Sequence, residues 1–585
     1  MSTLSRRALL GGAAVVALSA CTDDGPGDRA DSPGGETRHP GADDPGTAGA
    51  SEEEVAPQPA ITTRAVAEST ALEGDSAALA AAMSALLLER SSVAVLAPAE
   101  PGALRTATAL AEAGHWPVLI GPGSLTPPGP GAGTEAGTDT ATDAGTPTTT
   151  TSATTDTATN GATETATATG GPATPSAAPT PEPMPPATLE ELRRLGVAHL
   201  VVIGTDADAE RVRAEQGLGE PTIHAVPVSQ SPVLPEEVPV GQPSASAGHV
   251  VGRAGAGAGA AAATARALGL STHTDVADPR EDTEVMAALR ADSEWPVVSL
   301  AGESEDAARL LTEGLMAQRA SELPGGGVTC FPHRRMIALY GHPGSPVLGL
   351  LGEQGIESSI ARVDTYVQRY APLVDEVVIP AFEIIATVAD VNPGPRNDYS
   401  LLSSLEHLSP WVEAAREAGV YVVLDLQPGR TDFLTQAKEY ETLLIEPHVG
   451  LALDPEWRLG PEEKHLVRIG HVEADEVNAV SDWLASLVRE HNLPQKVLTL
   501  HQFRHSMLPD RERIRTDHPE LAIVLHADGQ GGQGAKQDTW RALQQDLPEN
   551  MWLGWKNFYD EDSPMLTPEQ TVAQVDPVPW FVSYQ

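Results

Sequence analysis

From Arg335 onward, apolar residues gather into eight short β-type runs: Met336–His342, Val377–Val388, Val420–Gln427, Val449–Trp457, Val497–Phe503, Leu521–Asp528, Met551–Phe558 and Val578–Gln585. Between them lie stretches with apolar residues at helical spacing, among them Ile356–Tyr370, Leu402–Ala418, Asp432–Leu444, Asp475–Glu490 and Asp538–Leu547. Strand-like runs alternating with amphipathic helices predict parallel βα units. Eight alternations over about 250 residues predict a (β/α)₈ TIM barrel across 331–585.

A different rhythm precedes it. Ser92–Ala97 and Pro117–Gly121 are buried-strand patterns flanking a helical stretch, Ala103–Ala113. Thr188-Leu189-Glu190-Glu191 has the spacing of a capping box opening a helix that runs to Leu195. His199–Gly204 follows as a strand, Gly252–Leu270 as an Ala/Gly-rich helix, and Trp295–Leu300 as a later strand. Together these predict a Rossmann-like α/β domain over roughly 76–325, giving an α/β chain of two folded parts. A Thr/Ala/Gly/Pro-rich stretch at 127–186 interrupts this domain as an insert, a composition expected to stay disordered.

At the N-terminus, Ser5-Arg6-Arg7 precedes the short apolar run Ala13–Leu18, which is too brief for the roughly 20 residues that span a bilayer. Leu18-Ser19-Ala20-Cys21 resembles a lipobox and the paired arginines resemble a twin-arginine signal, so residues 1–21 are expected to be a signal peptide with acylation at Cys21. Residues 22–75 contain few large apolar side chains and are expected to form a disordered tether. The expected location is the outer face of the cell membrane, held by lipid alone.

Charge narrows the partners. The formal net charge is −44, which argues against nucleic acid and against binding to anionic lipid through the protein surface. Of the two cysteines, Cys21 is assigned to lipid, which leaves Cys330 without a disulfide partner. No cofactor is expected, and the oligomeric state is left open.

The pattern Val93–Gly121, with Leu192-Arg193-Arg194-Leu195-Gly196-Val197 leading to Val201-Val202-Ile203-Gly204, resembles the cell wall-binding repeat 2 family. That resemblance implies an α/β module docking on wall polymers of the cell envelope. The barrel as a whole resembles a domain of actinobacterial lipoproteins.

Period-two alternation sorts the barrel residues by face. Leu451 and Leu453 are expected to face the helices, with Gly450, Ala452, Asp454 and Glu456 toward the axis. The same parity turns Asp425, His526 and Asp528 inward, and by extension His342, Glu383, His501, Lys556 and Tyr584. Barrel sites lie at the C-terminal ends of strands, where these residues fall. Buried carboxylates and imidazoles are costly unless they are used or paired. Asp454-Pro455-Glu456 resembles the D-x-E of family 18 chitinases and family 25 lysozymes. That resemblance implies Glu456 as general acid and Asp454 as its electrostatic partner, with Asp425 and Asp528 as further acids. His342, Glu383, His501, His526, Lys556 and Tyr584 would then bind substrate.

Two alternatives stand beside a glycosidase-like barrel acting on or binding envelope polysaccharide. One is a non-catalytic wall-binding scaffold. The other is a hydrolase in which His342, His501, His526 and Asp528 ligate a divalent ion. For single residues, Lys556 can serve simply to neutralise an acidic mouth, and Trp457 sits at a strand end where a sugar platform is possible.

Overall fold

The computed structural model describes residues 61–123, 182–242, 246–253, 257–303, 305–465 and 467–585. The signal segment with Cys21, the tether up to residue 60 and nearly all of the 127–186 insert lie outside these residues.

The N-terminal part builds two four-stranded parallel sheets. One has the order Val118–Ile120, Val93–Ala97, His199–Ile203, Thr222–Val226; the other has Thr70–Glu73, Val297–Ala301, His249–Gly252, Ser271–His273. The helix Gly259–Ala267 belongs to both cores, with Ala260 and Ala263 packed in the first and Ala261 and Ala265 in the second. Only a side chain as small as alanine lets one helix be buried on two faces at close approach. Folded structure starts earlier than composition suggests. Ile61–Thr63 and Thr70–Glu73, inside the expected tether, are strands, because pairing to Leu88–Ser91 and Val297–Ala301 supplies backbone partners that composition cannot reveal.

The predicted capping box at Thr188 is not formed. The helix starts at Pro186 and the Thr188 hydroxyl instead donates to the Ile120 carbonyl, 2.8 Å away, while Glu191 pairs with Arg194. A capping box is present one helix later, where Thr205 and Asp208 open Asp206–Arg213.

Eight parallel strands close the C-terminal barrel: Arg334–Gly341, Val377–Ala389, Tyr421–Leu426, Val449–Leu453, Lys496–Gln502, Leu521–Ala527, Trp552–Asn557 and Phe581–Tyr584. The first strand pairs with both the second and the eighth, which completes the ring. Strand 2 outlasts its neighbours and pairs antiparallel with Ser400–Leu402 at the mouth. Helices Ile356–Tyr370, Leu405–Ala418, Phe433–Glu439, Ala474–Glu490, Gln533–Leu543 and Pro568–Gln574 lie on the outside. Between strands 5 and 6 the described residues form only short 3-10 turns at His505–Met507 and Arg511–Arg513.

The faces separate as parity demands. Ile337, Phe382, Leu424, Leu451, Leu453, Leu500, Ile523 and Leu525 pack outward against the helices. Met336, Ala338, Ile379, Ala381, Val423, Ala452, Val497, Val524 and Phe581 fill the lower barrel, whose floor includes Leu323, Cys330 and Phe331. Apolar below and polar above is thus set by which end of each strand carries the charged residue. The two parts touch: Arg280, paired with Asp278, donates to the Pro519 carbonyl, Arg309 donates to Asp517 O at 2.9 Å, and Met316 packs on Val488 and Leu493.

Candidate functional site

At the top of the barrel, Glu383, Asp425, Asp454, His501, His526 and Lys556 are each fully buried, and Asp528 nearly so. His501 is the hub. Its Nδ1 lies 3.0 Å from Asp528 Oδ2 and its Nε2 lies 2.8 Å from Glu383 Oε1. Lys556 Nζ sits 3.4 Å from Asp528 Oδ1 and 3.3 Å above the Tyr340 ring, a cation–π contact. His526 lies edge-on to His501 at 4.9 Å, with Nε2 3.2 Å from Ser583 Oγ and Nδ1 3.7 Å from Glu383 Oε1. The Tyr340 hydroxyl donates to Asp425 Oδ2 at 2.7 Å.

These contacts set the charges. Burial pushes the Glu383 carboxyl up, but the His501 and His526 rings outweigh it and hold Glu383 below the ordinary range. Burial pushes His501 down, and Glu383 and Asp528 overcome this and raise it well above an ordinary histidine, so it is an imidazolium clasped by two carboxylates. Burial lowers His526, with Glu383 opposing. The remaining acids go the other way. Burial pushes Asp425 up to about 6 against the pull of His501. Asp454 is raised well above its usual value, first by burial, then by its neighbours Asp425, Asp528 and Glu456, with His501 opposing. One part of the cluster is therefore ionised and paired, and beside it Asp454 holds its proton far more tightly than an ordinary carboxyl.

Asp454 follows strand 4 directly and caps the 3-10 turn Pro455–Trp457, its Oδ1 accepting from Glu456 N at 3.2 Å. Its Oδ2 is buried with no hydrogen-bond partner among the described residues, as are Glu383 Oε2, Asp425 Oδ1 and His526 Nδ1. Four orphaned polar atoms within one cluster are unusual in a barrel held only for stability. The turn is clamped from outside: Gly470 N donates to Glu456 O at 2.8 Å, and a Cβ on Gly470 would run into the Pro455, Glu456 and Arg458 carbonyls.

Above the cluster is a hollow of about 20 Å³ lined by Tyr340, Leu348, Ile385, Val388, Ala389, Gln427, Trp457 and Gln585. That is room for roughly one water. Gln427 is fixed there, its Oε1 accepting from Ala389 N and its Nε2 lying 3.4 Å from the Tyr340 hydroxyl.

Glu383, Asp425, Asp454, His501, His526, Asp528 and Lys556 thus converge as the alternation of strands 2 to 7 predicted. Glu456 is half-buried on the 3-10 turn that Asp454 caps. Two expectations are corrected. Tyr584 faces outward, stacked 4.2 Å from Tyr366 with its hydroxyl 2.8 Å from that of Tyr370, because strand 8 places Phe581 and Ser583 inside. His342 lies past Gly341, whose φ of +148° turns the chain off strand 1. It sits at the rim with Nε2 3.0 Å from Ser403 Oγ, stacked on His407 at 5.6 Å. Sequence reasoning missed Tyr340 and Ser583 as inward groups. Tyr340 shares the parity of His342, which was a usable signal. For strand 8 the signal was the partner of Tyr584, which lies in a distant helix.

Two outcomes follow. Tyr340→Phe removes the donor to Asp425 and is expected to cost about 1–3 kcal/mol in chemical denaturation, because a buried acceptor is left bare. The Asp425 carboxyl is raised from 3.8 to about 6, so its proton is held more tightly in the folded state. Its contribution is fully present below pH 3.8 and lost as pH rises through about 6. Denaturation of Asp425→Asn across that window should show a shallower decline than the parent; an identical pH profile would contradict the assignment.

Fold and cluster together define a closed, all-parallel eight-stranded barrel protein with an acid–imidazole centre at its C-terminal mouth. No protein-family model matches the chain, and no curated protein matches it. No helix among the described residues is long and apolar enough to cross a membrane.

Proposed function

We propose that this chain is a cell-surface lipoprotein whose barrel is a glycosidase-like hydrolase acting on envelope polysaccharide. The observation that supports the reading is Asp454. It is a carboxyl whose proton is held well above the ordinary range, with a bare oxygen, next to an ionised Glu383–His501–Asp528 set. An acid kept protonated beside ionised partners is what proton donation to a glycosidic oxygen requires. In this reading Asp454 is the proton donor, Asp425 and Glu456 tune it, and Trp457 at the hollow offers a ring for a sugar face. A saccharide exceeds the present hollow, so turnover requires the rim to open around Val388–Ala389 and Trp457. The Leu18–Cys21 lipobox pattern supports the anchor, and the cell wall-binding repeat 2 resemblance supports wall docking by the N-terminal part.

The test is release of reducing ends from purified wall polysaccharide by the full-length protein. The expected result is turnover. One observation favours a second reading, a wall-binding scaffold: the narrowness of the hollow. Co-sedimentation with walls and no released ends would select that reading.

A further inference from the structure

The proton-donor reading turns on Asp454 and gives no task to His526 or to the bare second oxygen of Glu383. Glu383, His501 and His526 come from strands 2, 5 and 6, are all fully buried, and bring one ligand-type atom each to within 4.8 Å of one another. Two of their atoms, Glu383 Oε2 and His526 Nδ1, have no hydrogen-bond partner among the described residues. Orphaned and fully buried, such atoms are an expense unless a further partner satisfies them.

We propose that Glu383, His501 Nε2 and His526 Nδ1 form a binding site for a single divalent transition ion of the zinc class. Spacing supports it first. Ligand atoms about 2.0–2.1 Å from a tetrahedral ion lie roughly 3.3 Å from each other. Here Glu383 Oε1 is 2.8 Å from His501 Nε2 and 3.7 Å from His526 Nδ1, values that bracket the requirement. The outer contacts support it independently. A metal-bound histidine gives its other ring N–H to an oxygen partner that fixes its orientation. His501 Nδ1 faces Asp528 Oδ2 at 3.0 Å, and His526 Nε2 faces Ser583 Oγ at 3.2 Å. Both imidazoles are thus oriented from behind, with the remaining nitrogen of each turned toward Glu383; the ion would take the place of the Nε2 proton that the metal-free His501 imidazolium shares with Glu383, and binding would release that proton to solvent. The donor set is two nitrogens and a carboxylate, which suits zinc, cobalt or iron better than calcium or magnesium. Three protein ligands leave a coordination position open, as in sites that activate water. Lys556 is engaged with Asp528 and the Tyr340 ring.

What the ion would do rests on the hydrolase reading above; that it binds does not. The probe is Co²⁺ added to untagged, chelator-stripped, full-length protein, read by metal analysis and by the visible spectrum of the bound ion. One Co²⁺ per chain is expected, with a spectrum of low coordination number. His526→Asn should lose it. Ser583→Ala, which leaves all three ligands in place, should weaken binding about 10- to 100-fold. If His526→Asn fails to fold, the Ser583→Ala affinity decides alone. No stoichiometric Co²⁺ in the parent, or an unchanged affinity in Ser583→Ala, would overturn the site. Stoichiometric metal without release of reducing ends would keep the site and remove the hydrolase reading. Release of reducing ends at full rate by a chain that takes up no metal would do the reverse.

Discussion

Asp454→Asn is expected to reduce turnover of wall polysaccharide by about 100- to 10,000-fold, the range a positioned general acid contributes. Stability should change by less than about 1 kcal/mol, within the scatter of substitutions that break no structural feature. Both halves follow from the same fact. Folding raises the proton affinity of Asp454 well above that of an ordinary carboxyl. Asparagine is nearly isosteric with a protonated carboxyl, its Oδ1 can still accept from Glu456 N, and no buried charge is created or stranded. It lacks only the acidic proton. Measuring turnover and denaturation on the same preparation checks the pair. A large loss of stability would mean that Asp454 is ionised and paired.

His501→Ala is expected to behave in the opposite manner and to be the most damaging single change in the barrel. His501 is the cation between Glu383 and Asp528, all three with side chains at or near zero exposure. Its removal leaves two carboxylates facing a cavity, with Lys556 near Asp528 and His526 near Glu383 but no cation bridging them. Breaking a buried ion pair by deleting one partner costs about 3–5 kcal/mol, against the 5–15 kcal/mol that holds a typical domain together. The barrel transition in thermal or urea unfolding should shift accordingly. A cost below about 1 kcal/mol would mean that the carboxylates are already neutral in the parent, contrary to the charge assignment.

How much of this was legible beforehand divides along physical lines. The eight strands were readable because parallel barrel strands are buried on both faces and appear as unbroken apolar runs. The convergence of Glu383, Asp425, Asp454, His501 and Lys556 was readable because the side-chain period of a strand is fixed at two. That period fails only where a strand's starting residue is uncertain or where the chain leaves the sheet. Strand 8 is just four residues, Phe581–Tyr584, so one step of register exchanges Ser583 for Tyr584. Strand 1 ends at Gly341, and His342 beyond it obeys the turn rather than the pleat. The charges were not legible at all. The opposite shifts of Asp454 and Glu383 depend on which neighbour each meets across the barrel, and the neighbours of Glu383, His501 and His526, both lie more than a hundred positions away in the chain. The N-terminal sheets were only partly readable, since Thr70–Glu73 is a strand by virtue of Val297–Ala301, more than two hundred residues later.

The claim on which the hydrolytic account turns is that the folded protein keeps one carboxyl protonated at neutral pH, and that this carboxyl is Asp454. Infrared difference spectroscopy between the parent and Asp454→Asn at pH 7 measures this directly. The account predicts a protonated-carboxyl C=O stretch in the parent that vanishes in the variant. A parent without that band, or a band of equal strength in both proteins, would contradict it.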